Sequence, residues 1–241
     1  MQAADIIKLI YADKKLTDLR KKIENGLGTF TDTMAYSNRS AELLGRYFSE
    51  NVLSMSDVER IAANDALLRD RYNDINDLLD RVQRSRDRKQ GINIQPQHVP
   101  YNEERAQMIG EALTDQTVSD EIIQRRAESA PANMTRSMQD DYIKENARFR
   151  GEAGLKCYIV RISDGEPCSW CNSLAGRYEY GSEPDDVYKR HDNCCCTVTY
   201  ENGRQRQNVW TKKTWNVSDR LSPEQAQQLE AAKINKNKPR K

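Results

Sequence analysis

Apolar residues recur at seven-residue intervals from the start of the chain, at Leu9, Leu16 and Ile23, with Ile6 and Ile10 beside them. Gly26 and Gly28 follow, as glycines follow helices, so the spacing predicts one helix ending there. A second helix is predicted over about 32–52, carrying Met34, Ala41, Leu44 and Phe48. Ser54 and Ser56 are candidate caps for a third, and Ser56 has Glu59 three residues on, the spacing of a reciprocal cap. Val58, Ile61, Leu68, Tyr72, Ile75, Leu79 and Val82 then alternate by three and four, with Asp65 in the missing place. Asp70, Arg71, Asp74, Asp77, Asp80 and Arg81 lie between them. The pattern predicts an amphipathic helix of about seven to nine turns whose narrow seam suits packing on one or two helices, in this chain or, as a coiled coil, in another.

Helical spacing stops over 89–100, which holds two prolines and a glycine and reads as a linker. It resumes over about 102–113, 118–130 and 134–150, and Gly151 and Gly154 close the region. Beyond them the period becomes two. Residues 156–162, 177–180 and 196–200 alternate as half-buried strands, and glycines at 165, 176, 181 and 203 punctuate them. The expected fold class is therefore α+β: a mostly helical amino-terminal two thirds with long amphipathic helices, then a small β-rich module stapled by cysteine and histidine, then a basic tail. The expected segments are a helical region at 1–88, the linker at 89–100, a helical region at 101–154, the module at 155–203 and the tail at 204–241. A module of that size is near the lower limit for a core of its own, so a staple is expected.

Composition narrows the function. The 241 residues are 37% hydrophobic and 31% charged, too wet for one large core yet not wet enough for disorder throughout. No apolar run approaches the roughly 18–20 residues of a membrane span, and charges interrupt the first sixteen residues, so neither a membrane partner nor a signal peptide is expected. The net charge of +1 hides an asymmetry: from Arg204 onward ten basic residues face three acidic ones, leaving +7 on the tail and −6 on the rest. Such a tail is expected to touch nucleic acid through Arg204, Arg206, Lys212, Lys213, Lys236 and Lys238 by sequence-independent phosphate contacts, or to act only as a solubilising terminus.

All six cysteines fall between Cys157 and Cys196. Cys168-Ser169-Trp170-Cys171 is followed, nineteen residues on, by His191-Asp192-Asn193-Cys194-Cys195-Cys196. Two ligand pairs separated by a loop are how a tetrahedral zinc is usually assembled. Cys168, Cys171, His191, Cys194 and Cys196 are thus five candidates for four places. Residues two apart on a strand face one way, which favours the four cysteines with His191 behind them; the competing set replaces Cys196 by His191. Disulfides and plain packing are the other readings of these thiols. Four protein ligands would make the zinc structural, with no open position for water.

Pro167-Cys168-Ser169-Trp170-Cys171 also matches half of the zinc nucleobase deaminase signature. That chemistry needs an upstream His-x-Glu, and the one upstream histidine, His98, is followed by Val99-Pro100. Without the acid there is no proton shuttle, and that reading stays a distant third. No phosphate loop or dinucleotide fingerprint is present, so neither an enzyme nor a small-molecule substrate is expected.

The stretch from Asp164 through Cys168, Cys171 and Leu174-Ala175-Gly176-Arg177-Tyr178, and then Arg190-His191-Asp192-Asn193-Cys194-Cys195-Cys196-Thr197-Val198, resembles the phage Mu F-like minor head proteins, also called phage head morphogenesis proteins. Asp192 stands where proline is common in that family, and Cys195 where a basic or polar residue is usual. The resemblance covers 50 to 60 residues closely. It implies a non-enzymatic virion protein, made in the host cytoplasm and carried in the head interior or at the portal vertex. It also implies the portal and capsid proteins as partners, a part in head morphogenesis and DNA packaging or ejection, and packaged DNA against the basic tail. A free-standing zinc-ribbon regulator of nucleic acid is the rival expectation.

Overall fold

The computed structural model describes residues 2–163, 168–191 and 194–202. Its element boundaries follow from caps. Helix α1 (Ala3–Ala12) is followed at once by α2 (Lys14–Glu24), because Asp13 accepts from the Leu16 N–H at 3.0 Å and starts a new helix. The heptad Leu9–Leu16–Ile23 therefore spans two helices instead of one. Leu16 and Ile23 are buried, whereas Leu9 is 40% exposed. Helix α3 (Phe30–Val52) opens with a reciprocal cap between Thr29 and Asp32, and α4 (Asp57–Gln90) with the expected one between Ser56 and Glu59. Gly91, at φ 68°, ends α4 in the left-handed conformation that glycine adopts most easily, and the Ile92 N–H returns to the Asp87 carbonyl at 2.8 Å.

The buried face of α4 is wider than the seam and turned from its start. Leu68, Ile75, Leu79 and Val82 are buried, but Val58 is 77% exposed, while Leu67, Arg71, Asp74 and Leu78 are inside. After a coil comes α5 (Glu103–Ala112), capped by Asn102. The two segments predicted at 118–130 and 134–150 are one helix, α6 (Asp120–Glu152), with Pro131 inside it. Proline has no N–H for the Ala127 carbonyl, yet packing carries the helix through. Helix α6 lies along α3, and the two backbones approach closely at Gly45. A Cβ there would sit 2.3 Å from the Glu128 carbonyl oxygen.

Helix α6 leads into an antiparallel sheet of β1 (Cys157–Ile162), β2 (Gly176–Glu179) and β3 (Thr197–Asn202), in the order β2-β1-β3. A five-residue helix, α7 (Ser169–Ser173), precedes β2. The fold is α+β, as expected. The sheet is not self-supporting, however. Cys157, Ile159, Val198 and Tyr200 turn one face of it into the same core as the helices. Tyr200 packs on Phe30 with ring centroids 5.3 Å apart and donates its hydroxyl to Gln83. Gln139 of α6 reaches the Phe30 carbonyl at 3.0 Å and that of Val198 at 3.4 Å. The buried pair Arg150–Asp87, at 2.6 Å, ties α6 to α4. The expected strand spacing holds, and the sheet rests on the helical core in addition to any staple. The tail at 204–241 lies outside the described residues.

Candidate metal centre

Helix α7 begins at Cys168, whose Sγ accepts the Cys171 N–H at 3.4 Å, so the two cysteines of the first pair are held by the cap that starts the helix. That hydrogen bond lowers the Cys168 thiol below its ordinary pKa. From the other side, the one-turn 3-10 segment Asp185–Tyr188 delivers His191, and the run into β3 delivers Cys194 and Cys196. Both of these cysteines are buried, and Cys195 between them is exposed. The alternation expected of a strand is therefore present, although β3 itself starts at Thr197. The Cys195 carbonyl accepts from Asn38 Nδ2 of α3 at 3.3 Å.

The five candidates converge as two overlapping triads of donor atoms, Cys168–Cys171–His191 and Cys171–Cys194–Cys196, and within each triad all atoms lie within 4.8 Å of one another. Cys171 Sγ belongs to both. It stands 3.7 Å from Cys194 Sγ and 2.9 Å from His191 Nε2, which is also 3.4 Å from Cys168 Sγ. None of the six cysteines is in a disulfide, and 3.7 Å is far from the roughly 2.05 Å of such a bond. These groups are close enough together to hold a metal ion. Burial, followed by contact with Cys196 and Cys194, pushes the Cys171 thiol up to about 12. Cys157 is remote from the cluster, against Asn202, and burial pushes its thiol up to about 11.

Side chains other than the five candidates surround the cluster. Arg161 of β1 is buried, with Nη2 at 3.9 Å from Cys171 Sγ and 3.8 Å from Cys194 Sγ. Trp170 stacks near both of the cluster's nitrogenous groups, 5.4 Å from the Arg161 guanidinium and 5.8 Å from the His191 ring. Arg190, beside His191, makes a two-pronged pair with the buried Asp140 of α6 and donates to the Cys194 carbonyl at 3.1 Å. Arg136 of α6 is buried and near enough to feel Cys195, Arg190 and Cys194. Sequence reasoning reads charge as surface and so gives Arg161, Arg190, Asp140 and Arg136 no place at the cluster. The one signal available is register: Arg161 continues the inward row of Cys157 and Ile159 on β1.

His98, the histidine weighed for deaminase chemistry, lies against Asp80 of α4 at 3.2 Å. Pro167 of that motif, and the tail candidates Arg204, Arg206, Lys212, Lys213, Lys236 and Lys238, fall outside the described residues. Among the described residues no helix is long and apolar enough to cross a membrane. Comparison of the chain with protein-family models, with curated proteins and with solved structures finds no match.

Proposed function

We propose that the cluster holds one structural zinc through Cys168, Cys171, Cys194 and Cys196, with His191 hydrogen-bonded to the sulfurs. Two physical points support this ligand set. A tetrahedron with Zn–S bonds of about 2.3 Å has sulfur–sulfur edges of about 3.8 Å. The Cys171–Cys194 separation of 3.7 Å already meets that length; His191 Nε2 lies 3.4 Å from Cys168, near the roughly 3.5 Å of a sulfur–imidazole edge, but at 2.9 Å from Cys171 it is short of it and at hydrogen-bond distance. The second point is charge. Among the described residues, three buried guanidiniums (Arg136, Arg161, Arg190) against one buried carboxylate (Asp140) leave two positive charges around the cluster, 3 − 1 = 2. A zinc with four thiolates carries two negative charges and neutralises them; one with three thiolates and an imidazole carries a single negative charge. Buried charge without a partner is costly, so the neutral combination is preferred. Four protein ligands leave the ion no place for water, and its work is to order the chain.

The wider proposal is that the protein is a minor head protein of a phage, docking at the portal vertex through a surface that the metal makes rigid. The observation that carries it is that the cysteines and histidine of the Mu F-like motif, spread over 29 residues from 168 to 196, meet at one cluster. Co-expression with the portal protein encoded in the same genome tests the proposal. The two are expected to co-purify and co-elute on size exclusion, and Cys171→Ser is expected to lose the association. Separate elution of the wild-type chain and the portal protein, with sequence-preferring DNA binding in a gel shift, would replace this reading with a nucleic-acid regulator.

A further inference from the structure

Strand β1 alternates inward at Cys157, Ile159 and Arg161. The first two enter the core, and the third is an arginine with 2% of its surface exposed. Burying a guanidinium demands an anion, and among the described residues no carboxylate lies within ion-pair distance of Arg161. What it has is a fork held on one edge: Nη1 donates to the Val187 carbonyl at 2.5 Å and to the Lys189 carbonyl at 2.9 Å. The Trp170 indole covers its face at 5.4 Å. The planar fork so fixed aims its other edge, Nη2, between Cys171 and Cys194. These are the two sulfurs already separated by the edge of a zinc tetrahedron.

We infer that Arg161 is a positioning residue of the metal centre, donating N–H···S hydrogen bonds that hold Cys171 and Cys194 as metal-bound thiolates. The inference rests on the metal reading above. A neutral thiol accepts hydrogen bonds weakly, and a metal-bound thiolate, carrying charge, accepts them well. The contacts of 3.8 and 3.9 Å therefore gain their strength when the ion enters. Arginine suits the place because one planar group reaches two carbonyls and two sulfurs together; an ammonium has no such fork.

Arg161→Gln and Arg161→Lys test this, read by chelator competition for zinc and by the visible spectrum of the cobalt-substituted full chain. Outer partners of metal ligands are typically worth 10–100-fold in affinity, and Arg161→Gln is expected to weaken zinc binding by about that factor, with Arg161→Lys between it and the wild type. The thiolate-to-cobalt charge-transfer band is expected to move to lower energy in both, because removing an N–H donor raises the sulfur lone pairs. A role confined to tying the strand to Val187 and Lys189 would lower thermal stability and leave that band in place. Should Arg161→Gln fail to fold, the lysine variant and the band carry the test. Unchanged zinc affinity together with an unmoved band would overturn the role of Arg161 while leaving the metal site standing. A wild-type chain that takes up neither zinc nor cobalt would remove both.

Discussion

Replacing Cys171 with serine is expected to abolish metal binding, while His191→Ala keeps it. Cys171 Sγ is the atom common to both triads, so its loss breaks both of them. His191, by contrast, lies at hydrogen-bond distance from the sulfurs, and its loss is expected to cost the 10–100-fold of an outer partner, about 1.4–2.7 kcal/mol. The ligands come from α7 and from the run ahead of β3, so the metal's contribution is read where those segments open. With free zinc held at about 1,000 times the dissociation constant, binding adds about 4 kcal/mol to the closed form, a roughly thousand-fold gain in protection from hydrogen exchange. Peptides spanning 169–173 and 194–197, followed by mass spectrometry with zinc and then with excess chelator, measure it. The expected result is a large zinc-dependent protection in the wild type and in Cys195→Ser, whose side chain is exposed, a reduced one in His191→Ala, and none in Cys171→Ser. Zinc-dependent protection surviving in Cys171→Ser would refute the site. Its loss in His191→Ala to the same extent as in Cys171→Ser would refute the four-cysteine ligand set.

Three further outcomes follow from the packing. Gly45→Ala places a Cβ 2.3 Å from the Glu128 carbonyl oxygen and must part α3 from α6, so a loss of about 1–3 kcal/mol in urea denaturation is expected; no loss would mean the helices are not in close contact there. Asp140→Asn leaves Arg190 buried without its partner carboxylate and is expected to cost about 3–5 kcal/mol by the same measurement, with a loss well under that showing that water reaches the pair. Asp141 responds to pH. Its side chain reaches solvent, yet partial desolvation by the surrounding helices, and then the neighbouring Asp140, push its carboxyl up to about 6, above the roughly 3.9 of an unfolded chain. The folded state then holds this proton more tightly, so the stability it lends is complete below about pH 4 and lost as pH rises through 6. Asp141→Asn is accordingly expected to raise the urea midpoint at pH 7 relative to wild type and to leave it unchanged at pH 4; equal effects at both would sink the assignment.

Much of this architecture is legible in the sequence where one local rule decides. Ser56 and Glu59 mark the start of α4 because the cap is made within four residues. The strands are legible because period-two alternation meets a single buried face. The metal cluster is legible because ligand chemistry restricts the residue types. The misses arise where a distant neighbour decides. Asp13 reads as one more charge inside a heptad, and only with Arg39 paired to it at 2.7 Å and the Leu16 N–H on its carboxylate does it become a helix start. Pro131 reads as a stop, but the packing of α6 on α3 and α4 outweighs one missing hydrogen bond. Arg71 and Asp74 read as the wet side of α4. In the fold they are buried, beside the buried Tyr36 and the half-buried Arg20, since a paired, hydrogen-bonded charge can go where a lone one cannot. Arg161 is missed for the same reason, with thiolates in place of carboxylates.

The corrected picture of the sheet changes what a metal would be for. A free-standing module of this size needs an ion to fold at all, as small zinc domains do. Here β1 and β3 already share the helical core through Ile159, Val198 and Tyr200, while Cys171, Cys194 and Cys196 form a separate small cluster with Trp170. The ion therefore has little to add to the sheet and much to add to α7 and the approach to β3, whose apolar support among the described residues is that small cluster, with polar ties through Asn38 and Arg190. A metal-free chain is expected to keep its far-UV circular dichroism and the slow-exchanging amides of α3 and α6, and to lose order at the cluster end alone; collapse of the whole helical signal on chelation would contradict this division. If it holds, chelation switches one surface of the protein from rigid to mobile without unfolding the rest. The docking proposal requires that property, because a partner recognises such a surface only when its loops are already ordered.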